Sequence, residues 1–193
     1  MAPRTATTAA ALAIPLLAAP AAPAGILKKR IHVRVGDSAA VVGRAAPGVA
    51  ELQIHRRGAW RTIDRDRTTP SGRFVLRDRI RRPMSVAARV RVPGGVRRIG
   101  RLNAYRAAVA SWYGPGLYGN RLGCGGTLLP GRLGVAHRTL GCGTRVTLWH
   151  RGRTVRVRVI DRGPYVGGRE FDLTEATARR LHFSGYGTIY ATR

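Results

Sequence analysis

Four carboxylates in the last part of the chain are the residues best suited to acid–base chemistry. The protein has 193 residues, with only 9 Asp and Glu against 35 Lys and Arg, and the part after residue 110 holds just Asp161, Glu170, Asp172 and Glu175. A carboxylic acid can donate a proton to a leaving group and, once ionised, can take a proton back. The scarcity of acids therefore gives a short set of candidates for a general acid and base.

Asp161 ends a strongly alternating segment, "RTVRVRVID". Because side chains on a strand alternate between two faces, Val155, Val157 and Val159 share an apolar face and the arginines between them face solvent. Asp161 has the parity of the valines, so a persisting strand would turn it toward the apolar side, where desolvation favours a protonated acid. Alternatively, Asp before Arg-Gly-Pro forms a turn, with its oxygens accepting backbone N–H groups. The residues alone leave both roles open.

The other three acids have structural explanations. Asp172 has a parity opposite to that of its apolar neighbours and stands three residues before Glu175, which is the spacing of a capping box. We predict that Asp172 and Glu175 cap the short helix "TEATARRL", with Thr174 as a second candidate for the cap. Glu170 is predicted to be solvated.

One histidine and four aromatic residues complete the candidate set. His137 lies in "GVAHRTLGCGT", and a lone histidine is more often a hydrogen-bonded structural residue than a catalytic one. Trp112, Tyr113, Tyr118 and Tyr165 are predicted to lie in Gly-rich loops rather than at core spacing. Such rings can stack on sugars or fill a small core, and both interpretations stay open.

The cysteines predict a disulfide rather than a metal site. Cys124 and Cys142 are the two cysteines of the chain. An even number in an exported protein favours a disulfide, and closing a loop of this length is worth ~3 kcal/mol. We predict no bound metal and no cofactor.

The N-terminus predicts export. Residues 1–24 contain one cation at Arg4, an apolar run over 9–17 and small residues before Gly25, which is typical of a cleaved signal peptide. The apolar run is shorter than the ~20 residues that a membrane span needs. No cysteine near the cleavage site could accept a lipid. We therefore expect a secreted protein that associates with the cell wall.

The charge predicts a polyanionic partner. The formal net charge is +26, and nearly all of the cations are arginine. Outside the cell the abundant polyanions are wall polymers and lipid headgroups, whereas nucleic acid is a candidate only if the export signal is false. An arginine-favouring genome would also produce this composition. We predict anionic wall polymers as partners and no nucleic acid.

The elements that must position these residues are mainly strands. Residues 26–103 contain short alternating segments between turn signals, which predicts an immunoglobulin-like β-sandwich. Residues 104–110 are predicted to be a linker, either a connector or a short helical link. Residues 111–193 form a second domain with Gly-rich loops, strands and one short helix. The clearest strand segments are "IHVRV", "AELQIH", "AWRTI", "RFVLR", "MSVAARVRV", "TRVTLWH", "RTVRVRVID", "REFDL" and "YGTIYAT".

Four collinear motifs resemble the rare lipoprotein A (RlpA) family over about residues 109–193. The motifs are "ASWYGPGLYGNR", "AHRTLGCGTRVTL", "VRVRVIDRGPY" and "REFDLTEATARRL". The resemblance implies a six-stranded double-psi β-barrel. It also implies an endolytic peptidoglycan transglycosylase, a lyase that cleaves the bond between N-acetylmuramic acid (MurNAc) and N-acetylglucosamine (GlcNAc) and leaves a 1,6-anhydro end.

The resemblance also assigns residues. The Asp and His of the family motifs fall on Asp161 and His137, so we expect these two to be catalytic, with His137 orienting Asp161 or binding the sugar. A second family Asp falls on Asp172, where Thr174 replaces the usual following serine. Asp172 and the four loop aromatics are therefore candidates for binding substrate.

Two departures and one alternative accompany the resemblance. The first loop contains Cys124, and Gly141 replaces the usual proline. The alternative is a non-catalytic expansin-like module that binds or loosens the wall, in which Asp161 only braces a loop. The presence of both Asp161 and His137 favours the enzyme. We predict a monomer.

Overall fold

The computed structural model describes residues 25–193, and the predicted signal peptide at 1–24 lies outside the described residues. The described chain is mainly β, which confirms the predicted class. No helix in this part of the chain has the length and hydropathy needed to cross a membrane. The elements are β1 (Gly25–Arg30), β2 (His32–Arg34), β3 (Ser38–Arg44), β4 (Val49–Arg56), β5 (Ala59–Arg67), β6 (Arg73–Arg79), β7 (Met84–Val92), β8 (Gly95–Tyr113), β9 (Val135–Ala136), β10 (Arg145–His150), β11 (Arg153–Asp161), β12 (Phe171–Thr174), α1 (Glu175–Leu181) and β13 (Gly187–Ala191).

The N-terminal unit consists of two sheets that cover one apolar core. One sheet has the order β1-β3-β6, and the other joins β5, β4, β7, the first half of β8 and β2. The first sheet contributes Val41 and Leu76 to the core, and the second contributes Leu52, Val90 and Leu102. Two sheets on a shared core have the layer arrangement of a sandwich. The immunoglobulin-like topology stays a prediction.

Strand β8 joins the two units without a break. The predicted connector or helical link at 104–110 is wrong, because this segment lies inside β8, which is 19 residues long. The first half of β8 pairs with β7, and from Arg106 onward β8 pairs with β13. The buried alanines Ala104, Ala108 and Ala110 favour a helix locally, but partner strands on both sides override that preference.

The C-terminal unit is a closed ring of six strands, as expected. Around the ring the order is β8, β12, β9, β11, β10 and β13, and β13 pairs with β8 again. The pairs β8–β12 and β9–β11 are parallel, while the other four pairs are antiparallel. A closed ring leaves no exposed sheet edge, so the loops at its ends are free to carry function.

The alternation predicted for β11 is confirmed. Val155, Val157 and Val159 are buried in the barrel core, and Arg156 and Arg158 are exposed. These arginines therefore form the solvated face of the strand.

Helix α1 is capped by the second of the two predicted candidates. Its N-cap is Thr174, whose hydroxyl accepts a hydrogen bond from the Thr177 N–H at 3.3 Å. Asp172 lies two residues earlier, inside β12, so its predicted capping role is wrong. Because its strand pairing holds it away from the helix end, Asp172 is free for another role.

Candidate functional site

Four strands place two carboxylates at the same level of the barrel. Asp172 is in register with Ser111 of β8 on one side and with Ala136 of β9 on the other, and Ala136 is also in register with Asp161 of β11. Residues in register on neighbouring strands point to the same face of a sheet. Asp161 and Asp172 thus flank Ala136, with their backbones two strand spacings, about 10 Å, apart. We call these four residues the acidic face.

The acidic face points away from the barrel core. Phe171 and Leu173, on either side of Asp172, are both fully buried in the core, so Asp172 points outward. Both carboxylates are nonetheless half-buried. This is the position that a proton-transferring group needs to reach a substrate.

A β-bulge turns Asp161 to this face. Between Val159 and Asp161, β11 advances two residues while β9 advances one, from Val135 to Ala136. The extra residue is Ile160, and it shifts the parity of everything that follows it. The prediction that Asp161 shares the side of the valines is therefore wrong, because the bulge interrupts the alternation of the strand after Val159.

One oxygen of Asp161 is held by the backbone. The Oδ1 atom accepts hydrogen bonds from the N–H of Gly123 at 2.7 Å and of Arg162 at 2.8 Å. The bond from Arg162 is the contact expected if Asp161 forms a turn, which was the alternative role predicted from the sequence. Both bonds fall on Oδ1, so Oδ2 is the oxygen that is available to a substrate.

The predicted disulfide braces the loops around Asp161. Cys124 and Cys142 are bonded, with their Cα atoms 5.5 Å apart. Cys124 directly follows Gly123, the donor to Asp161, so the bridge fixes the position of that N–H group. The guanidinium of Arg162 adds to the brace by donating to the carbonyl oxygen of Leu140 at 2.7 Å and to the sulfur of Cys142 at 2.9 Å.

Asp172 is the end of a short chain of hydrogen bonds. The Ser111 hydroxyl donates to Asp172 Oδ1 at 2.6 Å, and Arg169 donates to the Ser111 oxygen at 2.7 Å. Burial raises the pKa of Asp172, and the nearby charge of Asp161 raises it further, against the opposing effects of Ser111 and Arg169. Asp172 is thus a carboxyl group that holds its proton more tightly than an exposed aspartate does.

We expect Asp172→Asn to stabilise the protein at neutral pH. Because its pKa is raised in the folded state, Asp172 loses its proton less readily there than in the unfolded chain. Its contribution to stability is complete below the usual pKa of 3.8 and is lost as the pH rises through the raised value. Asparagine cannot ionise and escapes this loss.

Urea unfolding of the two proteins at about pH 7 and about pH 3 measures the effect. The stability of the variant relative to wild type should be higher at neutral pH than in acid. A relative stability that does not depend on pH would contradict the proposed cause.

Tyr113 lies beside both carboxylates. Burial raises the pKa of its hydroxyl, and the charges of Asp161 and Asp172 add to the shift. The hydroxyl is buried and makes no hydrogen bond of good geometry within residues 25–193. It nevertheless lies close to the carboxylate of Asp161, which contributes to its raised pKa. A neutral, unpaired hydroxyl at this position can donate to a carboxylate or to a bound ligand.

The imidazole ring of His137 contacts Glu170 and not the carboxylate of Asp161. Its Nδ1 accepts the N–H groups of Thr139 at 3.1 Å and Leu140 at 3.0 Å, so the neutral ring carries its proton on Nε2. The Nε2 atom is 3.5 Å from Glu170 Oε1. Burial lowers the pKa of His137 despite the opposing effect of Glu170, and the ring is therefore neutral at neutral pH.

Glu170 is half-buried in an ion pair, so the prediction that it is solvated is wrong. Both of its oxygens accept from the Arg106 guanidinium, one of them at 2.7 Å. Burial alone would raise the pKa of Glu170, but the hydrogen bond and charge of Arg106, followed by those of His137, lower it. The ionised pair joins the loop before β12 to β8.

The four aromatic candidates lie in different places in the structure, and only one of them is at the acidic face. Trp112 and Tyr113 are the last residues of β8 and not loop residues. Trp112 lies on the opposite face of the strand from Tyr113 and is 36% exposed, while Tyr165 is 79% exposed in the loop after Asp161. Tyr118 is half-buried and donates its hydroxyl to Glu175. Tyr113 is thus the aromatic residue that the fold places directly at the acidic face.

Gly134 is required by the bulge. A Cβ atom at this position would overlap the side chain of Ile160, and the backbone of Gly134 also bonds the hydroxyl of Thr177 at 3.0 Å. We expect Gly134→Ala to lower the free energy of unfolding by ~1–3 kcal/mol, as overpacking does. Urea unfolding measures the change, and Gly131→Ala is the matched control because a Cβ there meets no atom within 4 Å. Equal stability of the two variants would contradict the account of the bulge.

Sequence reasoning missed the residues that support the carboxylates. Ser111, Arg169, Arg106 and Gly123 carry no motif of their own, and the arginines are two among many. Only the strand pairing could have identified them. Ser111, for example, is recognised as a neighbour of Asp172 only when β8 and β12 are aligned in parallel. Among residues 25–193, no group of three or more His, Cys, Asp and Glu residues is arranged to hold a metal ion.

Comparisons with known proteins bear on the second unit. Residues 105–192 match the family described as "Lytic transglycolase". A "Probable endolytic peptidoglycan transglycosylase RlpA" from Synechocystis sp. is 36% identical over 135 residues, covering 63% of this chain and 42% of that protein. An "Endolytic peptidoglycan transglycosylase RlpA" from Campylobacter jejuni is 42% identical over 82 residues, covering 42% of this chain and 30% of that protein. The chain thus spans less than half the length of these relatives.

The solved structure of Streptomyces papain inhibitor superposes with a TM-score of 0.35 and 21% identity, over 46% of this chain and 94% of that chain. That similarity supports no conclusion. The family match, the two relatives and the closed six-stranded ring agree with the resemblance seen in the motifs. Residues 105–192 of this chain are therefore an RlpA-like double-psi β-barrel domain.

Proposed function

We propose that the protein is an endolytic peptidoglycan lytic transglycosylase that cleaves the MurNAc–GlcNAc bond. The observation that carries the proposal is the pair of half-buried carboxyl groups, Asp161 and Asp172, on either side of Ala136. The names of the relatives give the substrate class, and the acidic face supplies a chemistry that suits it. Asp161 is the catalytic residue in this proposal.

The reaction needs one proton to be given and one to be taken. Protonated Asp161 donates from Oδ2 to the glycosidic oxygen, and the bond between that oxygen and the muramic C1 breaks with its electron pair on the oxygen. The Asp161 carboxylate then accepts the proton of the C6 hydroxyl while that oxygen bonds to C1. The new bond closes the 1,6-anhydro ring, no water is consumed, and Asp161 regains its proton.

The surroundings of Asp161 suit this double role. Two backbone N–H groups fix Oδ1 and so aim Oδ2 at the substrate. In this proposal Asp172, held by Ser111, is a substrate-binding group. The unpaired hydroxyl of Tyr113 donates to the sugar or to Asp161.

His137 is a positioning residue in this proposal. Its ring contacts the loop after β9 and Glu170. Its backbone N–H donates a hydrogen bond to the carbonyl oxygen of Asp161 at 3.2 Å. It therefore holds the end of β11 in place from the side. The exposed rings of Trp112 and Tyr165, and that of Tyr118, are candidates for stacking on sugars farther along the strand.

The same proposal places the protein outside the cytoplasmic membrane, at the cell wall. The predicted signal peptide at 1–24 and the formal charge of +26 support it, since the wall polymers are anionic. Expression with and without residues 1–24, followed by fractionation, tests the location. Retention of the full chain in the cytoplasm would contradict it.

Digestion of peptide-free glycan strands, analysed by mass spectrometry, tests the proposed activity. We expect fragments ending in 1,6-anhydro-MurNAc. Absence of any fragment from the wild-type protein would overturn the proposal, and binding to the strands without cleavage would point to a wall-binding module.

A further inference from the structure

A second surface lies on the two barrel strands that do not carry the acidic face. It runs along β10 and β13, where the barrel meets β2 of the N-terminal unit. One open cavity of about 500 Å³ is lined by Arg34, Trp149, Arg151, Tyr186 and Tyr190, among others. A smaller cavity of about 210 Å³ shares Arg34 and Trp149 and extends onto the N-terminal unit. We call the two together the junction groove.

Aromatic rings line the junction groove in sequence. The ring centroids of Tyr105 and Trp149 are 6.1 Å apart, and those of Trp149 and Tyr190 are 4.9 Å apart. Tyr105 is buried, Trp149 and Tyr190 are half-buried, and Tyr186 is 64% exposed. Partly exposed rings next to one another offer flat apolar faces with polar edges to a ligand.

The charge of the groove is positive and unpaired. The Arg34 guanidinium lies 4.7 Å above the ring of Tyr190, and both Arg34 and Arg151 are exposed. Within residues 25–193 neither of these two arginines forms an ion pair with a carboxylate, and Asp37 is the one acid that lines either cavity. The groove therefore favours a ligand that carries negative charge.

The groove adjoins the region of the acidic face. Thr188 lines both the larger cavity of the junction groove and a further cavity of about 490 Å³. That third cavity is also lined by Arg169, which bonds Ser111 beside Asp172, and by Glu170. The junction groove therefore borders a cavity that reaches the residues around Asp172.

We infer that the junction groove binds a carboxylate-bearing glycan strand. The rings match the flat faces of pyranose sugars, and the arginines match carboxylates placed along the polymer. A polyphosphate offers the charge but no sugar faces, so it would leave the rings unused. The choice of peptidoglycan glycan as the strand rests on the proposed function, but the site itself does not use Asp161.

Binding measured in the Asp161→Asn background tests the inference without cleavage. The probe is peptide-free glycan of alternating GlcNAc and MurNAc, and the comparison ligands are neutral chitin oligosaccharides and inorganic polyphosphate. The groove variant is Arg34→Gln/Arg151→Asn, in which asparagine suits the left-handed backbone of Arg151 (φ 44). Tyr186→Ala tests the aromatic contribution separately.

The control variant is Arg98→Gln/Arg57→Asn, which removes the same charge from the N-terminal unit. Arg57 (φ 50) matches Arg151 because each is a left-handed arginine followed by a glycine in a hairpin turn. We expect the groove variant to weaken glycan binding about tenfold or more, and the control less than about twofold. Tyr186→Ala should weaken glycan binding but leave polyphosphate binding unchanged.

Equal losses in the two double variants would overturn the inference, because net charge alone would then explain binding. No effect of Tyr186→Ala on glycan binding would also overturn it. Cleavage is scored in a separate assay with the wild-type protein, so a protein that binds but does not cleave refutes only the proposed function. A protein that cleaves while the groove variant binds normally refutes only the groove.

Discussion

Asp161→Asn is expected to reduce the release of anhydro-muropeptides by about 10²–10⁴-fold, the usual cost of removing a general acid. Asparagine can still accept the two backbone N–H bonds that now reach Oδ1, so the turn and the loop should survive. It can neither donate nor accept the transferred proton. The measurement is the initial rate of product release from purified sacculi, with unfolding followed in parallel.

The matched control is Asp66→Asn in the N-terminal unit. Asp66 also uses a side-chain oxygen to accept a backbone N–H, that of Val75 at 2.7 Å, but it lies in the sheet and far along the chain from the barrel. Its variant should cleave at the wild-type rate. Undiminished product from Asp161→Asn would remove Asp161 as the acid and leave Asp172 as the carboxyl group to test.

Replacing both cysteines with serine is expected to lower the free energy of unfolding by ~3 kcal/mol. The bridge closes a loop with a sequence separation of 18, and its loss releases that loop in the unfolded chain. Activity should fall as well, because Cys124 fixes Gly123, whose N–H holds Asp161 Oδ1. Urea unfolding and the sacculus assay measure the two effects.

Wild-type protein treated with a reductant is the control for the serine side chains. It should match the double variant in both assays. Two free thiols in the untreated, denatured protein would show that no bridge forms, and a stability loss below about 0.5 kcal/mol would contradict its expected contribution.

The sequence predicted the strands because their alternation is local. The span of β11 follows directly from "RTVRVRVID", and the helix from "TEATARRL". It could not predict that β8 continues through 104–110, because the alanines there favour a helix and only the partner strands make the segment extended. Closure of the ring was likewise expected from motif resemblance and not from periodicity.

The candidate site was also predicted only in part. Asp161, Asp172 and His137 were found as rare residue types at motif positions. Their partners were not, because the bulge at Ile160 and the parallel pairing of β8 with β12 decide which side chains meet. The bulge reversed the orientation expected for Asp161, and Glu170 proved to be paired with Arg106 because the strands bring them together.

In the proposed reaction Asp161 promotes cleavage of the glycan without consuming water. Digestion of peptide-free glycan strands in heavy-oxygen water, followed by mass spectrometry of the new muramoyl ends, tests it most directly. We expect 1,6-anhydro ends that contain no heavy oxygen and that disappear with Asp161→Asn. Reducing ends that carry heavy oxygen would show hydrolysis and would overturn the proposed reaction.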